Sequence, residues 1–267
     1  MKKTRFLLLP ALFTLLFISA CTEDDNQTAR LKITLVDNPG DFEAVNVDIQ
    51  GVTVHTNEHA GEEDNGWVFL ENSNVGVRNL LDYTGGVELT LADTDFPAGR
   101  ISQIRLLLGE NNSVTIDGNT EPLETPSAQQ SGLKLQVHET LKGGITYEFK
   151  LDFEAAQSVV ITGTGTKILK PVINVFTEAV SGSIKGSVLP ASENIVLYVM
   201  EEVDIISTTY APAGTAEFLF ADVPEGIYSV LLEPGETSDF VSTTIDNVNV
   251  AIGDVTDLGE IQLAPKE

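Results

Sequence analysis

Apolar and polar residues alternate with a period of two along most of the chain. Leu31, Ile33 and Leu35 are spaced by Lys32 and Thr34, and Val45, Val47 and Ile49 by Asn46 and Asp48. Each such stretch buries one face of a strand. The phase then slips by one residue, because the apolar set resumes at Val52 and Val54. A β-bulge at Gln50–Gly51 accounts for the slip. The same period recurs at Val87, Leu89 and Leu91, at Ile104, Leu106 and Leu108, and at Leu133, Leu135 and Val137. It is most regular in Ile145, Tyr147, Phe149, Leu151 and Phe153, set against Thr146, Glu148, Lys150 and Asp152.

Turn residues punctuate these strands. Asp37-Asn38-Pro39-Gly40 and Gly85–Gly86 mark turns, Asn57–Gly66 a polar loop, and Asp117–Gly118 a hairpin after Val114–Ile116. Gly143–Gly144 predicts a hairpin joining the Leu133 and Ile145 strands. Gly163-Thr164-Gly165 predicts another, joining Val159–Ile161 to a strand over Lys167–Phe176, with Pro171 at an edge or bulge. Only Glu154–Ser158 reads as a helical turn. Many short alternating strands give an all-β fold of two β-sandwich domains in tandem.

The N-terminus follows a different rule. Lys2, Lys3 and Arg5 precede an apolar run from Phe6 to Phe17, and the small residues Ser19 and Ala20 lead into Cys21. This is the layout of a cleaved secretory signal, and the run is shorter than the roughly 20 residues of a membrane span. Ile18-Ser19-Ala20-Cys21 resembles the bacterial lipobox, which implies a lipid on the Cys21 thiol and cleavage before it. Glu23, Asp24 and Asp25 resemble the acidic export signal that sends some lipoproteins to the cell surface; a periplasmic location stays open beside it.

Separate motifs occur in order between Leu31 and Phe176: Asp37-Asn38-Pro39-Gly40, Gly66-Trp67-Val68, Asn79-Leu80-Leu81-Asp82, Pro97 to Arg105 and Pro126 to Lys134. Together they resemble the bacterial lipoprotein family called domain of unknown function 4382. The resemblance implies a fold and an envelope setting but no reaction. After the small-residue linker Ala179–Ser183, Gly182-x-Ile184-x-Gly186, Phe218-x-Phe220-x-x-Val223-Pro224-x-Gly226-x-Tyr228 and Leu258-Gly259-x-Ile261-x-Leu263 are similar to the carboxypeptidase regulatory-like, or transthyretin-like, sandwich. That likeness implies a spacer without catalytic residues. The expected organisation is a signal peptide at 1–20, the lipidated Cys and acidic tether at 21–29, the sandwich of unknown function at 30–178, and the regulatory-like sandwich at 182–264.

Charge narrows the partners. The chain carries −25, and loss of the signal removes three basic residues and no acid, which takes it to −28. Such a surface repels nucleic acid and anionic head groups. Cys21 is the only cysteine, so no disulfide forms within one chain.

Candidate chemistry is sparse. His55-Thr56-Asn57-Glu58-His59 spells an inverted zinc-protease motif, but that motif needs a helix. In an extended chain the two histidines lie roughly 13 Å apart. His138 falls on the polar face of its strand. Asp117, Asn119 and Glu121 alternate as calcium ligands do, although Pro122 stands where an EF-hand has Gly. Asp93 with Asp95, and Glu62-Glu63-Asp64, are similar oxygen-rich pieces. Calcium is thus the one cofactor the sequence suggests. Gly163–Lys167 lacks P-loop spacing. Trp67, the sole tryptophan, reads as core in its apolar run but is also a ligand-binding candidate. Arg100 and Arg105 are candidates too, to hold an anion or to pair with the chain's own acids. The expected role is a non-catalytic binding or scaffolding module for a protein or glycan. The competing class is a metal-dependent hydrolase or a glycosidase, whose carboxylate spacing only a fold can give.

Overall fold

A computed structural model describes residues 27–38, 40–56, 66–71, 73–126 and 132–266. The signal, Cys21, the acidic residues Glu23, Asp24 and Asp25, Glu58, His59 and Glu62-Glu63-Asp64 lie outside the described residues.

The first half is built from β1 (Thr28–Asp37), β2 (Ala44–His55), β3 (Trp67–Phe69), β4 (Gly76–Asn79), β5 (Leu89–Pro97), β6 (Gly99–Leu108), β7 (Ser113–Ile116), β8 (Asn119–Pro122), β9 (Leu133–Leu141), β10 (Thr146–Phe153), β11 (Val159–Ile161), β12 (Lys167–Leu169) and β13 (Ile173–Ala179). One sheet has the order β13-β10-β1-β5, with β1 and β10 parallel. The other runs β8-β7-β2-β6-β9, with β3 and β4 also paired to β2. Leu31, Ile33 and Leu35 lie in register with Tyr147, Phe149 and Leu151. These side chains meet Val45, Val47, Ile49, Val52 and Val54 of the other sheet in one core. Each such side chain taken from water contributes roughly 1.5–3 kcal/mol.

The bulge stands where the phase slip put it: the β2–β6 register shifts between Ile49 and Gly51. Gly51 has φ +151°, and a Cβ there would lie 2.5 Å from the Phe69 ring. Only glycine fits both the backbone and that close approach.

Three local expectations change. Leu80–Tyr83 is a 3-10 turn, so the segment Ala155–Ser158, here α1, is not the only helical piece. The Asn79 side chain accepts from Leu81 N–H and so organises that turn, which hydrophobic period alone does not reveal. The Lys167–Phe176 strand is broken at Lys170–Val172 around Pro171: β12 pairs with β11, and β13 pairs with β10. β9 and β10 do not form a hairpin either. β9 pairs with β6 in one sheet and β10 with β1 and β13 in the other, so the Gly143–Gly144 turn crosses between sheets. Alternation sets which face is buried but not which neighbour is hydrogen-bonded.

The second half contains β14 (Gly182–Leu189), β15 (Ile195–Glu201), β16 (Asp204–Ala211), β17 (Glu217–Val223), β18 (Gly226–Pro234), β19 (Thr243–Val250) and β20 (Val255–Gln262). Sheets β17-β14-β20 and β16-β15-β18-β19 enclose a separate core around Phe218, Phe220, Leu197, Val230 and Leu232. The two sandwiches meet at the β9–β10 turn. Asp222 N–H donates to the Gly144 carbonyl at 2.8 Å, and Thr146 Oγ1 donates to Asp222 Oδ1 at 2.8 Å. Thr146 N–H donates to Ser181 Oγ at 2.9 Å, and Lys142 Nζ to the Gly253 carbonyl at 2.7 Å. A Cβ on Gly144 would lie 2.9 Å from that of Ser183, so the turn needs glycine to seat the second sandwich.

Candidate functional site

The outer face of the β2–β6 sheet is not a solvated polar face. After the bulge, Val52 and Val54 point inward, so Thr53 and His55 point outward, yet both are buried. β3 explains this. It pairs with the end of β2, setting Trp67 opposite His55 and Phe69 opposite Thr53. The Trp67 and His55 rings meet edge-on, 4.9 Å between centroids. On the other flank of β2, Arg105 is the cross-strand partner of Thr53 and Gln103 that of His55. The Arg105 guanidinium carbon sits 3.9 Å over the Trp67 ring centroid, a cation–π contact. Ser102 Oγ–H donates to the His55 carbonyl at 3.3 Å, which leaves the oxygen to accept from His55 Nδ1–H at 3.0 Å.

On this same face, Thr53 Oγ1, Gln103 Oε1 and Arg105 Nε are buried and without a hydrogen-bond partner among the described residues. Each such atom costs roughly 1–3 kcal/mol. Phe69 beside them is 48% exposed, while Val68, opposite Val54, lies on the other face of β3.

The structure thus joins two of the residues singled out in sequence, Trp67 and Arg105. Trp67 is half-buried on the outer face, not in the core, and Arg105 turns to its ring with no ion pair to an acid among the described residues. Arg100 lies exposed at the far end of β6, opposite Thr140. His55 is strand-borne and engaged by Ser102 and Trp67, and His138 is exposed at φ +52°. Asp117 occupies the β7–β8 turn, where its carbonyl accepts from Asn119, while Glu121 pairs with Lys167 Nζ at 2.7 Å. Asp93 and Asp95 face Arg30 at 2.8 and 3.6 Å. Among the described residues, no three His, Cys, Asp or Glu side chains gather closely enough to hold a metal ion. Sequence reasoning passed over Thr53, Ser102 and Gln103. The signal was present in Thr53 and His55, which alternate with Val52 and Val54 directly after the bulge.

A second cluster closes the opposite sheet. Asp37 continues the inward face of β1 past Leu35 and is buried at the end of the core. Its Oδ1 accepts from Ala155 N–H at 2.9 Å at the start of α1, and its Oδ2 has no partner among the described residues. Burial, and the nearby Asp152 and Glu154 carboxylates, push the Asp37 carboxyl up to about 6. Asp152 is raised as well, first by burial and then by Glu154. On the outer side, Asn38 Nδ2 bridges Asp152 at 3.2 Å and Glu154 at 3.0 Å.

Comparison with known proteins places this domain. The family described as Domain of unknown function (DUF4382) matches residues 28–171, more than half of the chain. The chain belongs to the DUF4382 family. No curated relative matches it. Among solved structures, the Bacillus anthracis TIE protein is 12% identical with a TM-score of 0.24; the match covers 89% of this chain and 34% of that one. The chain thus spans about a third of the length of the TIE protein. The minor pilin GBS52 of Streptococcus agalactiae is 10% identical, covering 90% and 98% of the two chains, with a TM-score of 0.22. The T-13 major pilin of Streptococcus pyogenes is also 10% identical over 90% and 98%, at 0.19. The sandwich architecture rests on the chain's own sheets.

The DUF4382 match contains both the platform and the acidic end, and the structure explains several of its motif positions. Asn79 accepts from Val45 N–H at 3.1 Å as well as from Leu81, and its amide donates to Asp82 at 3.0 Å, so one side chain ties β2 to the 3-10 turn. Gly99 takes φ +132° where β5 turns into β6. Asp37 and Asn38 divide the inner and outer sides of the β1 terminus.

Proposed function

We propose that this DUF4382 protein is a lipid-anchored module of the cell envelope that binds a protein or glycan ligand without transforming it. The observation that carries the reading is the outer-face platform: Arg105 stacked on Trp67, exposed apolar Phe69 beside it, and unpaired polar atoms around it. Aromatic faces and a preorganised guanidinium are the groups that stack on sugar rings and extended peptides. His55 supports binding over chemistry, because its ring is buried under Trp67 and held by Ser102. The anchor is Cys21, with Glu23, Asp24 and Asp25 as the address for surface display. No helix among the described residues is long and apolar enough to cross a membrane. The second sandwich, of the carboxypeptidase regulatory-like kind, then works as a spacer fixed to the first through Gly144, Thr146 and Asp222.

Trp67 is the sole tryptophan, so its fluorescence reports on the platform directly. The full chain, titrated with defined oligosaccharides and peptides, gives a saturable change with the right class. That change is lost in Trp67→Phe and Arg105→Ala variants that keep a β-type circular dichroism spectrum, with calorimetry as the binding readout where the indole is removed. If no probe perturbs Trp67 and both variants merely lose stability, the platform is fold support. For the anchor, mass spectrometry of the mature N-terminus shows a lipidated Cys21, absent in Cys21→Ser. Protease shaving of intact and lysed cells shows whether Glu23, Asp24 and Asp25 direct display.

A further inference from the structure

The second sandwich carries an interaction surface of its own on β16. Sheets protect their edges with charges, prolines, bulges or short strands. Several other sheet edges among the described strands do so, whereas β13 relies on Glu178 alone. β5 presents Asp93 and Asp95 and ends in Pro97; β8 is four residues long and ends in Pro122; β9 has a bulge opposite Ser102 and carries Lys134; β19 carries Asp246 and a bulge where Asn247 takes φ +60°. β16 is different. Its ladder hydrogen bonds go only to β15, with β17 of the facing sheet lying near it without ladder bonds, and after Asp204 its sequence Ile205-Ile206-Ser207-Thr208-Thr209-Tyr210-Ala211 has no charge and no proline. Its single register shift falls at the Ile205 end, leaving Ser207–Ala211 in regular pairing with Ile195–Val199.

The sheet face beside this edge is apolar. Ile205 is 57% exposed, Tyr210 62%, and Val203, in the turn before the strand, 83%. Register places Ile205 beside Met200, and Tyr210 beside Val196. The rim is acidic: Glu201, Glu202, Asp204 and Glu233 are all exposed. Residues 182–267 hold fifteen acids and two lysines. Lys185 faces Asp257 in the other sheet, and Lys266 donates to the Ser238 carbonyl.

We infer that β16 takes up an extended, cationic segment of a partner protein by strand addition, its ladder bonds made to the free edge and its apolar residues seated beside Ile205 and Tyr210. Main-chain hydrogen bonds supply affinity in this mode, and side-chain pockets supply selectivity. Charge chooses the occupant. A second copy of this chain would bring fifteen more acids to an acidic rim, whereas a segment with lysine or arginine at alternate positions meets Glu201, Glu202, Asp204 and Glu233 with opposite sign. The inference does not depend on the Trp67 platform, which lies in the other sandwich.

The test uses the full chain in detergent and three ten-residue probes: one alternating valine and lysine, a scrambled peptide of the same composition, and one with glutamate for lysine. Binding is read by fluorescence anisotropy and by hydrogen exchange of the β16 amides. The alternating lysine peptide is expected to bind, to slow exchange over Asp204–Ala211, and to exceed the other two at least tenfold. Thr208→Pro removes a backbone donor, and Tyr210→Lys puts a positive charge where the cationic segment docks; each should cost at least tenfold. The Tyr210→Lys variant keeps the test decisive if the proline variant fails to fold. Equal binding of the scrambled peptide, or protection elsewhere than β16, overturns the proposal. So does micromolar self-association through β16 that the lysine peptide does not compete away, since that identifies a second copy as the occupant.

Discussion

Asp37 should make the first sandwich less stable as pH rises, and a neutral replacement should remove the loss. Its carboxyl is raised from an ordinary 3.8 to about 6, chiefly by burial. Below pH 4 the group is protonated in both folded and unfolded chains and contributes nothing. Between pH 4 and 6 the unfolded chain releases the proton while the folded chain retains it, so stability falls with rising pH, and above 6 the loss is complete. At about 1.36 kcal/mol per pH unit the full loss is bounded near 3 kcal/mol, and about 1–3 kcal/mol is the range to expect after relaxation. Asp37→Asn keeps the acceptor for Ala155 N–H and never carries the charge. Urea unfolding of the full chain, followed by Trp67 fluorescence, isolates the first sandwich, because Trp67 lies in it. At pH 7.5 the Asn variant should be more stable by about 1–3 kcal/mol; at pH 4 the two chains should nearly coincide. An Asn variant that is less stable at pH 7.5, or one that keeps the wild-type slope between pH 4 and 6, would refute the reasoning.

Gly51→Ala should destabilise by about 2 kcal/mol or more, since the new Cβ meets the Phe69 ring on a backbone glycine alone favours; thermal melting measures it. Arg105→Ala should shift Trp67 emission and cost about 1 kcal/mol through loss of the stacked cation, both read in one fluorescence denaturation series. Thr146→Val leaves Asp222 Oδ1 without its donor and should loosen the seat of the second sandwich. Small-angle scattering should then show a broader range of overall dimensions while each core stays intact. Phe149→Ala, at the centre of the first core, should cost roughly 3–5 kcal/mol in the same urea assay.

Period-two alternation by itself determined most of the strands, their buried faces, and even the slip at Gln50–Gly51. Those are local properties: a strand exposes alternate residues whatever its neighbours, and one extra residue reverses the phase. The same logic placed the β7–β8 and β11–β12 hairpins, where the turn residues are adjacent to both strands. It could not place the β9–β10 connection, because two strands with one apolar face each fit equally well as a hairpin or as members of facing sheets. Only the packing of β10 between β1 and β13 decided that. The platform has the same history. Trp67 and Arg105 stood out as residue types, but 38 positions separate them. It took β3 and β6 on the two flanks of β2 to stack one on the other and to bury Thr53 and His55 beneath. The raised carboxyl of Asp37 is likewise a property of place. In sequence it is an ordinary turn aspartate, and only the parallel pairing of β1 with β10 brings Ala155, Asp152 and Glu154 to it and removes it from water.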